Sequence, residues 1–293
     1  MKEKTDLFKP SLVVTNSVPL TASQLDLFNY FLKGAYEELE KNIFQSRFSF
    51  SLDEIRKNCN SRITSYSKLI KEVEEIYNKE FEFNILGKDK SIEQKVKSRF
   101  IPTMIQKKDS TIEVMIEPLT LESLRVMIAK KQGLDLKGTK NKELKISPYA
   151  KLSYDAHKNL KFYPAKVIYE MIKDYEGYPI PEVEVSNFKK ITDTVNKYQA
   201  NYGTMVLKKI EKLLNEHFNI NVTLTPIKQG KLIKSIKIES NLNSTNKIRK
   251  VTVQEIQEEF IEYLIAGGLD PKQNYPKTVL NSFLKSKKYE LLK

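Results

Sequence analysis

Residues 197–239 read KYQANYGTMVLKKIEKLLNEHFNINVTLTPIKQGKLIKSIKIE. Within them Val206, Leu207, Ile210, Leu213 and Leu214 recur at the i, i+3, i+4, i+7 spacing that buries one stripe of an α-helix. The spacing predicts a helix over 204–218, with Thr204 as its N-cap and Lys208, Lys209 and Lys212 on the wet face. From Asn219 the period changes to two. Ile220, Val222 and Leu224 alternate, then Leu232, Ile233, Ile236 and Ile238 follow, with Gln229-Gly230 breaking the two runs. Alternation around a glycine turn predicts a hairpin, and this one carries Lys228, Lys231, Lys234 and Lys237. A helix backed by such a hairpin is the second half of a winged helix.

Charge sharpens the reading. Residues 186–250 hold thirteen Lys or Arg against four acids, a local net of +9 in a chain whose total is +13. The same segment places Tyr198, Gln199, Asn201, Tyr202 and Thr204 at the start of the helix. Lysines neutralise phosphates and release counterions, while amide, hydroxyl and aromatic groups at a helix N-terminus can reach base edges in a major groove. A solvated basic face on an ordinary core is the bland alternative, but clustering on both helix and hairpin favours nucleic acid. With 44 Lys and six Arg, there are few guanidinium forks for guanine, so DNA shape, A·T-rich sequence and Asn or Gln contacts carry more of any specificity.

At 293 residues the chain is comfortable for two domains, and 40% hydrophobic content is enough to build their cores. No apolar run approaches the ~18 residues of a membrane span, and the charged start over 1–9 lacks the core of a signal peptide, so a cytoplasmic location without membrane partners is expected. Cys59 is the sole cysteine, and His157 and His217 are far apart, each expected to be a surface or partly buried histidine. No disulfide, metal or other cofactor is therefore expected.

In chain order, a short strand at 12–14 and a turn ending at Pro19 precede Thr21-x-x-Gln24, whose capping-box spacing opens a helix over 21–40 with Leu25, Phe28, Phe31, Leu32, Tyr36 and Leu39 inward. A strand at 47–51 follows, then a second capping box, Ser51-x-x-Glu54, opening a short helix to Asn58, a turn at 60–62, and a helix over 63–77. Strands at 81–85, 96–105 and 111–116 form the wing, with its turn at 106–110, and a helix over 118–131 closes the first domain, 1–131. Residues 132–163 read as a linker of low periodicity. Over 164–240 the order recurs: helix 164–175, strand 183–185, short helix 186–195, long helix 204–218 and wing 220–239. A C-terminal extension, 241–293, carries helices from Thr252 to Ala266 and from Pro276 to Tyr289. The expected class is thus α+β and helix-rich: two tandem winged helices with a helical extension.

Several residues also resemble a known family. The hairpin RFIPTMI at 99–105 with TIEVMIEPL at 111–119, the helix VIYEMIKDY at 167–175 beside the pattern LYELL-x-x-Y, and 202–216 followed by 220–238 beside F-x-x-x-VL-x-x-A-x-x-EI and K-x-G-R-x-V-x-x-I-x-F all resemble the iteron-binding plasmid replication initiators. The resemblance spans 10–240. It departs at the long linker, at Lys231 where the family has Arg, and in the tail after 250. It implies a monomer that binds direct repeats at an origin, opens adjacent AT-rich DNA with the host initiator and recruits the host replicative helicase. It also implies a homodimer, joined through the first domain, that represses its own promoter. A winged-helix transcriptional regulator and a basic interaction protein are the alternatives.

The two halves divide unequally. Residues 1–150 hold 26 basic and 21 acidic residues, a net of +5, whereas 151–293 hold 24 and 16, a net of +8. Glu72, Glu74 and Glu75 crowd the later turns of the first long helix, so the first domain is expected to touch DNA through Arg62, Ser65, Lys68, Lys107 and Lys108 and to supply the dimer interface. Enzymatic readings fail on residue types: no paired histidines for a metal-dependent nickase, no phosphate-cradling glycine loop, no Arg/His set for a recombinase. Asp53-Glu54 and Glu258-Glu259 are explained by capping and helix solubility.

Overall fold

The computed structural model describes residues 6–14, 20–59, 65–86, 92–134, 149–195, 202–218, 220–230, 232–242, 249–251, 260–261, 264 and 289–291. The chain forms two compact units, Met1–Asn243 and Ser244–Lys293.

The first unit is built around α1 (Ala22–Lys41). Thr21 caps it as the sequence demands: its hydroxyl accepts from Gln24 N at 3.2 Å while the Gln24 side chain accepts from Thr21 N at 3.1 Å. Leu25, Leu27, Phe28, Phe31, Leu32, Ala35 and Leu39 are all buried, so α1 packs on more than one side. Gly34 lets β2 (Phe48–Ser51) come close, since a Cβ there would lie 2.4 Å from the Phe50 ring. α2 (Leu52–Asn58) follows, although Ser51 makes no side-chain cap bond; Leu52 N is instead held by Ser110 O at 2.9 Å. α3 (Tyr66–Tyr77) buries Leu69, Val73 and Ile76; Ser65, expected inside this helix, is its N-cap, and residues 63–64 and the turn at 60–62 fall outside the described residues.

The first wing differs from its sequence reading. The run expected as one strand over 96–105 breaks at Phe100-Ile101, both buried, into β4 (Ile92–Arg99) and β5 (Thr103–Gln106). β4 pairs with β3 (Glu80–Leu86) as a separate hairpin, while β5 pairs with β6 (Thr111–Met115) in a sheet ordered β2-β6-β5. Burying two adjacent apolar side chains ends the period-2 alternation and turns the chain. α4 (Pro118–Gln132) closes this half, with Gly133 in the left-handed region at φ 68° as its C-cap.

Two further expectations change. The strand expected at 12–14 lies earlier, as β1 (Asp6–Pro10), and Ser11–Val13 is a 3₁₀ turn. Its partner is β7 (Tyr149–Ser153), antiparallel from Asp6↔Ser153 to Pro10↔Tyr149, within the stretch read as linker. α5 (Tyr154–Asn159) also lies there. Alternation of Ala150 and Leu152, both fully buried, was the available signal; the interleaved Lys151 disguised it.

The second half runs α6 (Tyr163–Asp174), β8 (Val183–Glu184), α7 (Val185–Ile191), a π-turn (Gly203–Leu207) leading into α8 (Lys208–Phe218), then β9 (Val222–Gln229) and β10 (Leu232–Ser240). The sheet order β8-β10-β9 repeats β2-β6-β5 strand for strand, so the two halves share one topology, with the β3/β4 hairpin inserted in the first. Side chains from both halves meet in one core. Buried within it, Lys9 reaches Glu170 at 2.7 Å, Asn29 donates to the same carboxylate at 3.0 Å, and Lys166 reaches Asp26 at 2.6 Å. His157 is fully buried among them, with Nε2 3.1 Å from Glu170, rather than exposed or partly buried as expected.

In the second unit, β11 (Arg249–Val251) pairs in parallel with β12 (Tyr289–Leu291). Tyr289, expected as the end of the last helix, is therefore in a strand; most of the two expected helices lies outside the described residues, while 260–261 and 264 are helical. Among the described residues no helix is long and apolar enough to cross a membrane.

Candidate nucleic-acid interface

The long helix of the second half begins with a widened turn. Tyr202, Val206, Leu207 and Ile210 are all buried, and a π-turn over Gly203–Leu207 brings side chains four and five residues apart to the same side, which a regular α-turn does less well. Tyr202 is the anchor. Only 4% exposed, it packs edge-on against Phe188, its hydroxyl lies 2.8 Å from the Thr194 hydroxyl, and Lys189 sits over its ring at 5.0 Å. The expectation that Tyr202 reaches bases is therefore corrected: it fastens the helix to α7, and burial raises its hydroxyl pKa. Thr204 lies inside the π-turn rather than at an N-cap. Tyr198, Gln199, Asn201 and Lys231, together with Arg62 in the first half, fall outside the described residues.

The basic surface stands where the sequence places it. Lys208, Lys209 and Lys212 are exposed on α8, and Lys228, Lys234 and Lys237 are exposed on the wing. What the charge count could not show is where the acids point. Glu211 turns inward and accepts from Leu224 N at 2.6 Å, and Asn215 accepts from Val222 N at 2.8 Å, so two side chains of α8 clip the helix to β9. Glu216 lies 3.8 Å from Lys212, and Glu239 lies 2.8 Å from Lys237. Lys209 covers the Phe162 ring at 4.4 Å. Among the described residues of this helix and hairpin, Lys208, Lys209, Lys228 and Lys234 are exposed cations without an ion pair, and of these Lys209 alone is engaged, by the Phe162 ring. An anionic rod laid across both meets cations whose nearby acids are already engaged.

The wing has its own irregularity. β9 and β10 pair from Ser240↔Val222 to Leu232↔Gln229, with Gly230 at φ 62° in the turn and a bulge between Ile233 and Ser235. The extra residue is Lys234; past it Ser235 and Ile236 are both buried, and Ser235 donates to Glu182.

In the first half, Ser65 caps α3 by accepting from Lys68 N at 3.4 Å, Lys68 and Lys108 are exposed, and Lys107 is paired with Glu113 at 2.9 Å. Of the acids expected to repel phosphate, Glu75 accepts from Gln24 at 2.7 Å, Glu72 is half-buried and Glu74 is exposed. Lys79 donates to the same Gln24 at 2.8 Å, so the capping residue of α1 also fixes the end of α3.

A helix, strand, short helix, long helix and hairpin, present twice and basic on the second copy, define a tandem winged-helix protein of the DNA-binding class. Residues 184–239 match the family described as initiator Rep protein, WH2. Solved structures similar to the chain include Pi initiator protein in complex with iteron DNA, at 14% identity over 83% of this chain and 100% of that one with a TM-score of 0.47. Domains 2 and 3 of RctB match at 10% identity over 76% and 82%, with a TM-score of 0.42. The WH1 domain of MSBI1.176, a replication protein isolated from a multiple sclerosis patient, matches at 17% identity over 39% and 87%, with a TM-score of 0.25. No curated protein matches the chain.

Proposed function

We propose that this protein is a plasmid replication initiator that binds direct repeats in duplex DNA at its origin, in the cytoplasm and without catalysing a reaction. The observation that carries the reading is that the initiator-type WH2 segment is the same helix and wing whose acids are engaged by backbone amides and lysines, leaving Lys208, Lys228 and Lys234 outward. Opening of adjacent AT-rich DNA, recruitment of the host initiator and replicative helicase, and a homodimer joined through the first half follow from the resemblance to the iteron-binding initiators. For the dimer, the first half offers the sheet edges β2 and β5 and the side chain of Phe44, 81% exposed.

The test uses the DNA flanking the gene. Several direct repeats spaced by about two helical turns beside an AT-rich stretch, shifted by the full chain in a gel, is the expected result. A single inverted repeat over the promoter as the sole target would make the protein a regulator instead. No shift on any of this DNA would leave a basic interaction protein.

A further inference from the structure

The wing ends in a side chain that its own fold leaves uncovered. Leu232 is 77% exposed, whereas its neighbour Ile233 turns inward and packs on the core, as the pleat requires of adjacent strand residues. The register pairs Leu232 directly with Gln229, and cross-strand partners lie on the same face, so an amide and a branched apolar group stand side by side at the tip. Gly230 between them, at φ 62°, adds no side chain to the turn. Lys228 and Lys234, exposed and outside any ion pair among the described residues, flank the tip on the two strands.

A single exposed leucine needs no explanation by itself. Here, however, the surroundings choose a partner: cations on both strands exclude another basic surface, and the amide offers paired donor and acceptor groups. β9 has eight residues, a reach of ~26 Å, enough for a hairpin leaving a helix in the major groove to cross one phosphate backbone to the flanking minor groove. Minor-groove binders commonly pair Gln or Lys with an apolar wedge that partly unstacks a base step and kinks the duplex. Resting on the DNA-binding reading above, we propose that Leu232 is a wedge inserted at one base step in the minor groove beside each bound site, with Gln229 reading the adjacent pair as A·T or G·C and Lys228 and Lys234 holding the flanking phosphates.

The experiment takes a duplex selected by the full chain from a random-sequence pool, substitutes 2-aminopurine at each flanking position in turn, and measures its fluorescence together with bending from the mobility of circularly permuted fragments. Wild type should raise the fluorescence at one step and bend the DNA. Leu232→Ala should lose that signal and at least ~20° of bend while still binding, Leu232→Met should keep both, and Gln229→Ala should lose the A·T preference beside that step. A Leu232→Ala protein that keeps the fluorescence and the bend, or a wild type that binds its duplex with no unstacked step, overturns the wedge and leaves DNA binding standing. Failure of the pool to yield any bound duplex overturns the DNA-binding reading itself and the wedge with it.

Discussion

Lys166 Nζ lies 2.6 Å from Asp26 Oδ1, both side chains are at most 1% exposed, and the pair joins the first helix of one winged helix to the first helix of the other. Lys166 also donates to His157 O at 2.6 Å. Burial lowers the lysine's pKa while Asp26 works to restore it, so the ammonium depends on that carboxylate. Removing one partner strands a charge in the core, which costs about 3–5 kcal/mol, whereas replacing both with apolar groups is often close to neutral. Asp26→Ala should therefore lower the urea midpoint sharply, and Asp26→Leu/Lys166→Met should recover most of the loss. Equal destabilisation by the single and the double change would show that packing, not charge, sets the cost.

His157 supplies a pH dependence whose sign can be worked out. Burial pushes its pKa down to about 4 against the pull of Glu170, with Lys166 and Lys9 adding to the fall; Asp26 lies 3.7 Å from Nδ1, and Asn29 donates to the same Glu170 carboxylate. A depressed folded pKa means that the unfolded chain takes up the proton first, so stability is full above ~6.5 and falls as pH drops toward 4. Between pH 7 and 5 the loss is about 2 kcal/mol, before most carboxylates titrate. Chemical denaturation at the two pH values should show it, and His157→Gln should flatten the difference. A wild-type difference retained in full by that variant would move the effect elsewhere.

The interface makes a quantitative claim on salt. Lys208 and Lys234 are exposed and outside ion pairs, while Lys212 has Glu216 at 3.8 Å and Lys209 covers Phe162. Each phosphate neutralised contributes ~0.9 to the slope of log affinity against log salt. Lys208→Ala/Lys234→Ala should lower that slope by about two, and Lys212→Ala alone by less than one. An unchanged slope in the double variant would take both lysines out of the interface.

These contrasts show what the sequence could carry. Thr21 and Gln24, the stripes of α1 and α8, and the Gln229-Gly230 turn are local, and local patterns fixed the element order of both winged helices. Five details depend on residues outside the local pattern and were misread or missed. Tyr202 looked like a base reader because helix starts often are, yet Thr194 and Phe188 claim it. Its place was faintly legible, four residues before Val206 in the apolar phase. Glu211 entered the charge count as one acid of four, but an amide thirteen residues later holds it inward. The break at Phe100-Ile101 separates two hairpins that period-2 counting merges. His157 looked isolated because its partners lie on α1 and α6, and β7 looked like linker because its partner is the first strand of the chain.

That last pairing leads to a prediction about cutting the chain. The division into domains at 131 and 164 treats the halves as separable, and on that basis 151–293 alone should bind DNA. The contacts argue otherwise. β1 lies against β7, Lys9 and Asn29 hold Glu170, and Asp26 holds Lys166, so a fragment starting at 151 keeps a buried lysine and glutamate but loses the opposite charges that pair with them, Asp26 and Lys9. Each unpaired buried charge costs several kcal/mol, comparable to the ~5–15 kcal/mol that stabilises a whole domain. Residues 151–293 expressed alone should therefore be unfolded or aggregate. Two pieces made together, 1–140 and 141–293, should copurify as one species and recover DNA binding, because the break leaves β1, β7 and every named partner in place. A cooperative thermal transition for 151–293 alone at neutral pH, or separation of the paired pieces on size exclusion, would show that the buried charges do not make the halves interdependent.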